Sequence, residues 1–407
     1  MTGAGTRELL AGNASFRLWL ASDVVRTLGF AVSTVVLPIL VYERTGSPVQ
    51  TGLLAALRVV PYLAVGLVAG AIADRVDRRR LLIAMTLVEG LAMTTIPVVD
   101  AVTPVPIVQI WVVTLVGSTA FVFADAAAFG ALPTIVGPER LAAANGVLLA
   151  VVSAAMIGGP AIGSALVATV GAASAIWVDV AGFALGALLL TGVRGSFREP
   201  RIRATLRSHA AAGLRFVVSD RTLCVLLVAG FAQSLAIGAV AGQLVVYAVE
   251  GLGIAEVDAR VGWLFSAGAV GTLLAGLVFA RLFDVGRVRL LTPGALLVGA
   301  GALAVLAASG GLWLAAAGYL LFGAATQIAI NTGITYRQLV SPPGLVSSVN
   351  VIGRMVAWGG NPFGAMLAGF VAAAAGVRTA FWAGVVVLAV TALATAVCLP
   401  GRGPRRS

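Results

Sequence analysis

The chain has 407 residues, of which 60% are hydrophobic and 11% charged, and it carries a formal net charge of +11. Soluble domains are about one-quarter charged, so this composition excludes an ordinary soluble protein. Apolar stretches of about twenty residues recur along the chain, as in proteins that cross a membrane several times. The positive charge does not indicate nucleic-acid binding, because the arginines lie in short loops between apolar runs, where they set topology and meet anionic lipid.

Twelve apolar runs are predicted to cross the bilayer as helices, which we number spans 1–12. In chain order they cover residues 16–42, 50–73, 81–99, 107–132, 141–169, 173–193, 222–249, 260–282, 288–308, 312–336, 345–374 and 377–399. The polar segment 194–221 separates an N-terminal half, 1–193, from a C-terminal half, 222–407. Within this segment, residues 204–219 are predicted to form an amphipathic helix on the inner membrane surface.

The placement of arginine predicts the orientation of the spans. One side receives the arginines of the segment 194–221, those from Arg75 to Arg80 and those near both termini. The other side receives only Arg44, Arg260 and Arg378. Because arginine-rich loops stay in the cytoplasm, both termini are predicted to be cytoplasmic.

Residues for catalysis or metal binding are scarce. Cys224 and Cys398 lie in apolar runs and are interpreted as small core residues. The single histidine, His209, lies in a basic loop, so we expect no metal site and no bound cofactor. Because the chain has no lysine, a phosphate-binding Gly-Lys-Ser/Thr loop is excluded. The absence of a catalytic constellation argues against an enzyme.

The two halves are similar at corresponding positions, which indicates an internal repeat. The segment Gly70-x-x-x-Asp74-Arg75 after span 2 has a counterpart in Gly276-x-x-x-Ala280-Arg281 after span 8. In span 5, Gly159-Pro160 corresponds to Asn361-Pro362 in span 11. Such repeats are typical of secondary transporters, whose binding site lies near the midplane.

The loop between spans 2 and 3 carries the residues of a family motif, Gly-x-x-x-Asp-Arg-x-Gly-Arg-Arg. Its matching residues are Gly70, Asp74, Arg75, Arg78 and Arg79. Asp77 replaces the second glycine. With the six-plus-six layout, the whole chain resembles the major facilitator superfamily. Short sequence segments such as Phe16-Arg17-Leu18-Trp19 and Ala144-Asn145-Gly146 resemble those of its bacterial multidrug and siderophore exporters, the transmembrane secretion effector branch.

The resemblance implies an all-α membrane protein with two pseudo-symmetric six-helix bundles. It also implies a monomeric transporter in the bacterial inner membrane, which exports amphipathic drugs, natural products or siderophores by alternating access, with the proton as coupling ion. A nutrient or metabolite importer of the same fold is the main alternative. A membrane sensor that does not transport is a more distant one.

Span 5 resembles the signature of proton antiporters in that family, Gly-x8-Gly-x3-Gly-Pro-x2-Gly-Gly. The positions are occupied here by Gly146, Ala155, Gly159, Pro160, Gly163 and Ser164. Small residues allow this helix to approach a neighbour closely, and proline bends it. The alternative interpretation is ordinary close packing without a role in antiport.

The resemblance also implies a gate on the cytoplasmic side. Asp74 is expected against the start of span 11, near Ser347 and Ser348, and Arg78 is expected to bond Asp125 at the inner end of span 4. These contacts would lock one of two conformations. The alternative is a solvated loop that only sets topology.

Ionisable residues within spans are costly and usually functional. Asp23 is the first candidate for proton coupling and Glu89 the second, while Arg26 shares a helix face with Asp23 and is either its partner in coupling or its neutralising charge. Glu89 is alternatively a selector of cationic substrates. Asp179 is expected at the outer interface, and Arg58 and Arg354 are expected to reach the cytoplasmic surface.

Polar and aromatic residues within the spans are candidates for lining a substrate cavity. They are Arg58, Gln233, Gln327, Asn331, Trp358 and Asn361.

Overall fold

The computed structural model describes residues 12–73, 75–193, 206–342 and 345–399. These residues form helices and contain no strand. In chain order the helices are α1 (Ala14–Thr45), α2 (Pro48–Ala73), α3 (Arg78–Asp100), α4 (Ile107–Val136), α5 (Leu141–Val170), α6 (Ala172–Thr191), α7 (Leu206–Ser219), α8 (Arg221–Val246), α9 (Arg260–Leu282), α10 (Val288–Ala308), α11 (Leu312–Val340), α12 (Val346–Ala375) and α13 (Val377–Cys398). Ile176 separates the two α-helical segments of α6, although its backbone angles, φ −64° and ψ −22°, stay in the right-handed helical region. A π-helical turn, Tyr247–Gly251, extends α8.

Among the described residues, eleven helices are long and apolar enough to cross a membrane. Together with α12 they correspond to the twelve predicted spans, so the predicted class, an all-α multi-pass membrane protein, is confirmed. Helix α12 has 30 residues and is therefore long enough. Its Gly-Gly-Asn-Pro run at 359–362 lowers the mean hydropathy of α12. This explains why α12 is not among the eleven helices that length and hydropathy identify.

Contacts between Cα atoms divide the chain into two compact units. Unit 1 comprises Met1–Gly46, Leu57–Ile202 and Ala255–Ser266, and unit 2 comprises Ser47–Ala56, Arg203–Ile254 and Ala267–Ser407. Two short segments, Ser47–Ala56 and Ala255–Ser266, therefore belong to a different unit from the rest of their half of the sequence. The boundaries predicted from the sequence stay a prediction.

The packing of helices repeats between the units. In unit 1, α1 packs against α5 and α6, and α3 packs against α4 and α6. In unit 2, α8 packs against α12 and α13, and α10 packs against α11 and α13. Counted from the first span of each half, these are the same pairs. The internal similarity of the sequence thus has a counterpart in the packing.

Side-chain caps fix the starts of several helices. Asn13 accepts a hydrogen bond from the Phe16 backbone N–H, and Asp220 accepts one from that of Leu223. At α3, Asp77 Oδ1 accepts a 3.0 Å hydrogen bond from the Arg80 backbone N–H. Each cap satisfies a donor that the helix leaves free. Asp77, where the loop departs from the family pattern, is therefore the N-cap of α3.

Helix α7 occupies most of the segment for which an amphipathic helix was predicted. Its residue Val217 is buried in an apolar cluster with Leu223 and Leu227 of α8 and Val349 of α12. The partly buried Phe216 packs against the same cluster. The C-terminal part of α7 thus packs on the rest of unit 2 through apolar contacts.

Candidate functional site

Five of the charged residues in the transmembrane helices of unit 1 form what we call the buried charge cluster. They are Asp23 and Arg26 on α1, Arg58 on α2, Glu89 on α3 and Asp179 on α6. Glu89 and Asp179 are only 4% and 1% exposed. Since ionisable groups are expensive within a bilayer, this cluster is the main candidate for a functional site.

Arg26 and Glu89, both predicted candidates for proton coupling, are brought together. Arg26 Nη2 lies 4.0 Å from Glu89 Oε1, and both side chains are largely buried. The ion pair of Arg26 within the described chain is therefore with Glu89. The alternative in which Asp23 and Arg26 neutralise each other stays a prediction. Asp23 is nevertheless within electrostatic reach of Arg26 and Asp125.

Asp179, which the sequence predicts near the outer end of its span, lies fully inside unit 1. Its Oδ2 accepts a 2.5 Å hydrogen bond from Ser33 Oγ of α1, which is also 1% exposed. Its other oxygen, Oδ1, lies against Gly29, where an added Cβ would be 2.5 Å away. Direct packing of α1 on α6 buries the carboxyl group despite its position near the start of α6.

Glycines make this close approach of α1 and α6 possible. A Cβ at Gly182 would lie 2.6 Å from the Val25 carbonyl oxygen, and one at Gly186 would lie 2.6 Å from Arg26 Cγ. We call Gly29, Gly182 and Gly186 the glycine seam. Asp179, Gly182 and Gly186 are spaced by three and four residues and share one helix face. This spacing was the signal in the sequence that could have identified Asp179 as buried.

Arg58, for which the sequence predicts that it reaches the cytoplasmic surface, contacts an aromatic side chain of unit 1. Its guanidinium carbon lies 4.8 Å from the ring centroid of Phe30, which stacks on Phe121 at 5.6 Å. Cation–π contact of this kind stabilises a desolvated guanidinium. In unit 2, Arg354 lies 5.9 Å from the ring of Trp358, one turn further along α12.

The loop between α2 and α3 is only partly described. Asp74 lies outside the described residues, and so do the side chains of Ser347 and Ser348. Arg75 is exposed, Arg78 is buried, and a Cβ at Gly70 would meet nothing within 4 Å. Asp125 accepts a 3.1 Å hydrogen bond from Tyr62 Oη. The expected Arg78–Asp125 bond and the gate stay predictions.

The residues that resemble an antiporter signature pack α5 against α1. A Cβ at Gly159 would overlap the side chain of Ala31, and one at Gly163 would lie 2.9 Å from the Val32 carbonyl oxygen. Pro160 lies inside α5, and Gly146 lies in its second turn. The geometry accounts for the small residues by close packing, and their role in antiport stays a prediction.

The residues of unit 2 that are candidates for lining a substrate cavity lie in different environments. Buried Gln233 donates a 2.8 Å hydrogen bond from Nε2 to the Thr326 carbonyl and thereby ties α8 to α11. Gln327 donates one of 2.8 Å to Asn331 Oδ1, one turn away. Asn361 lies where α12 approaches α8, with its carbonyl against Gly238. Their assignment to a cavity stays a prediction.

One buried charge in unit 2 was not identified from the sequence. Arg337, in the last turn of α11, is 5% exposed, and its Nε has no hydrogen-bond partner among the described residues. Gly353 provides the space, because a Cβ there would lie 2.6 Å from Arg337 Nε. A basic residue in the last turn of a helix is common, so this burial could not be predicted from the sequence.

Comparison with known proteins identifies relatives among membrane transporters. The family model "Major Facilitator Superfamily" matches residues 20–259, which is more than half of the chain. The chain is 32% identical over 218 residues to the multidrug efflux pump Tap of Mycobacterium tuberculosis, covering 51% of each chain. The chain thus matches about half the length of Tap.

Two further similarities extend over most of the chain. An uncharacterized MFS-type transporter, y4rN of Sinorhizobium fredii, is 29% identical over 371 residues, covering 88% of each chain. The crystal structure of the nucleoside transporter NupG superposes with a TM-score of 0.75 at 12% identity, covering 96% of this chain and all of NupG. At this identity, the likeness to NupG concerns the fold alone.

Proposed function

The chain belongs to the Major Facilitator Superfamily, and from this premise we propose that it is a secondary active transporter that exports amphipathic small molecules in exchange for protons. The observation that carries the direction of transport is the similarity to the multidrug efflux pump Tap over half the chain. The proposed substrates are drugs, natural products or siderophores. The protein acts by alternating access, as a monomer in the bacterial cell membrane, with both termini in the cytoplasm.

Proton coupling is supported by the buried charge cluster. The cluster contains three carboxyl groups and two guanidinium groups, so that its acids outnumber its bases. Complete ionisation would leave an excess negative charge in a medium of low dielectric, which is unfavourable. Binding and release of a proton by one acid removes and restores this excess. Asp23 and Glu89, with Arg26 as counter-charge, are the acids suggested by the sequence.

Transport into everted membrane vesicles tests the proposal. Ethidium and erythromycin serve as amphipathic probes, and an acidic lumen supplies the proton gradient. We expect accumulation of at least one probe and its loss when nigericin collapses the gradient. Accumulation that persists with nigericin contradicts proton coupling, and failure of both probes to accumulate contradicts the substrate class.

Variants locate the coupling site within the same assay. We expect Asp23→Asn and Glu89→Gln to lower gradient-driven accumulation at least tenfold, because each removes a titratable group from the cluster. Asp125→Asn tests the inner end of α4. Glu139→Gln is the control, since Glu139 is an exposed acid in the turn before α5. Equal activity of Glu89→Gln and Glu139→Gln would exclude Glu89.

An importer of the same fold is the second candidate. The hydrogen-bonded amides of Gln327 and Asn331 on α11 favour it, because they would suit a polar solute. Right-side-out vesicles distinguish the two directions. Accumulation of a polar solute in those vesicles, with no movement of the amphipathic probes in everted vesicles, would favour import.

A further inference from the structure

From the geometry of unit 1 we infer that Asp179 is the residue that binds and releases the coupled proton, with Ser33 as its positioning residue and the Arg26–Glu89 pair as neighbouring counter-charges. This inference rests on the proposed function. It assigns the proton to an acid that the sequence placed at the membrane interface.

The first argument is that four acids within the helices of unit 1 differ in how deeply they are buried. Asp125 is exposed and Asp23 is half-buried, whereas Glu89 is 4% and Asp179 1% exposed. Arg26 and Asp125 are within electrostatic reach of Asp23, and Asp179 is within reach of Glu89. The acids thus form a series from an accessible carboxyl group to a fully enclosed one, as transfer of a proton into the bundle requires.

The second argument is the difference in pairing between the two enclosed acids. Glu89 has a guanidinium group 4.0 Å away, which compensates a negative charge. Asp179 has no ion pair within the described chain, and its hydrogen-bond partner is the neutral hydroxyl group of Ser33. A carboxylate that is enclosed without a cation in contact is unfavourable. Asp179 is therefore the enclosed acid that gains most from binding a proton.

The third argument is an incomplete set of hydrogen bonds at the same place. Asp179 Oδ1, Glu89 Oε1, Arg26 Nε and Thr86 Oγ1 are buried and lack hydrogen-bond partners among the described residues. Buried polar atoms are almost always paired. Unpaired acceptors on two carboxyl groups, next to an unpaired donor, indicate a site where a proton is added or exchanged.

Charged groups on three other helices face Asp179, and two of them stabilise its carboxylate when the proton is released. Arg26 comes from α1, Arg58 from α2 and Glu89 from α3. When the O–H bond of the neutral acid breaks, the proton passes to water or to a neighbouring carboxylate, and the new carboxylate is stabilised by Arg58, Arg26 and Ser33. Uptake of a proton reverses this step, and no other bond changes.

Infrared spectroscopy of the purified protein in lipid tests the assignment without a substrate. The wild type is expected to show a carboxylic-acid C=O band that disappears as the pH rises. Asp179→Asn should lack this band, and Glu89→Gln should retain it. A band unchanged in Asp179→Asn overturns the inference.

Ser33→Ala keeps the carboxyl group of Asp179 and therefore tests the inference even if Asp179→Asn does not fold. Loss of a donor to the carboxylate should raise the pH at which the band is half lost by about one unit. The matched control is Ser22→Ala, because Ser22 is also 1% exposed and joins α1 to α6, but donates its 2.9 Å hydrogen bond to the Gly186 carbonyl. Equal midpoints for Ser33→Ala and Ser22→Ala contradict the role of Ser33.

Transport separates this inference from the proposed function. If the wild type shows no gradient-driven efflux, the proposed function fails, whereas the infrared band still decides whether Asp179 binds a proton. If the wild type is gradient-driven, Asp179→Asn should lose accumulation at least tenfold and keep exchange of ethidium for ethidium. Full gradient-driven accumulation by Asp179→Asn contradicts the inference alone.

Discussion

Arg79 Nε, in the first turn of α3, donates a 3.0 Å hydrogen bond to the Leu190 carbonyl oxygen in the last turn of α6. Its Nη2 donates to the next carbonyl, that of Thr191. The final carbonyls of a helix have no partner within the helix and carry partial negative charge. An arginine of the motif loop therefore caps another helix of the same unit.

We predict that Arg79→Ala lowers the free energy of unfolding by about 1–2 kcal/mol, because it removes charge-assisted hydrogen bonds. Arg80→Ala is the matched control, because Arg80 is exposed and its substitution removes the same charge from the same turn. Its effect should stay within about 0.5 kcal/mol. Thermal unfolding in detergent measures both, and equal effects would show that the charge matters rather than the cap.

Two adjacent glycines in α5 give a second matched pair. A Cβ at Gly159 would overlap Ala31, whereas one at Gly158 would meet nothing within 4 Å. We predict that Gly159→Ala costs about 1–3 kcal/mol of stability through overpacking and lowers efflux, while Gly158→Ala leaves both unchanged. Efflux and thermal unfolding of the two variants check this. Full activity of Gly159→Ala would favour the importer.

The orientation in the membrane is testable at the two ends of α3. In a chain with Cys224→Ala and Cys398→Ala, we predict that Val102→Cys reacts with an impermeant maleimide in intact cells and that Arg80→Cys does not. Val102 is 89% exposed in the loop after α3. Everted vesicles should give the reverse result. Labelling of Arg80→Cys in intact cells would invert the predicted topology.

The pH dependence of stability has a measurable contribution from Asp258, in the loop before α9. Hydrogen bonds from the Arg260 guanidinium and backbone N–H lower the pKa of the Asp258 carboxyl group below its usual range. A lowered pKa stabilises the folded state above the unfolded pKa of about 4. This contribution is lost as the pH falls through the lowered value.

We therefore predict that the wild type unfolds at a higher temperature than Asp258→Asn at pH 7. The difference should be small, because the pair is exposed. It should stay constant down to about pH 5 and close below about pH 4. A difference that persists in acid would show that it does not arise from the charge of Asp258.

The sequence predicts the twelve helices well, because each span is an independent apolar run whose length is set by the bilayer. Helix α12 shows that the internal repeat adds information, since the Gly-Gly-Asn-Pro run weakens its hydropathy. Asp77 shows a local rule, since an acid directly before a helix is a preferred cap.

Side-chain partners within the bundle were harder to predict. Arg26 pairs with Glu89, 63 residues away in the chain, and no local pattern distinguishes that pairing from one with Asp23. Asp179 was interpreted from its position near the end of a span, although burial depends on which helix covers its face. Rotation of a helix about its axis is encoded by the spacing of small residues, which is weaker than hydropathy as a signal.

The glycine seam also limits how this protein can evolve. Gly29, Gly182 and Gly186 lie where the backbones or side chains of α1 and α6 leave no space for a methyl group, so almost any base change that alters one of them is deleterious. Adaptation to new compounds must then proceed through residues away from this contact. In a selection for resistance to unfamiliar compounds, these three glycines should remain unchanged.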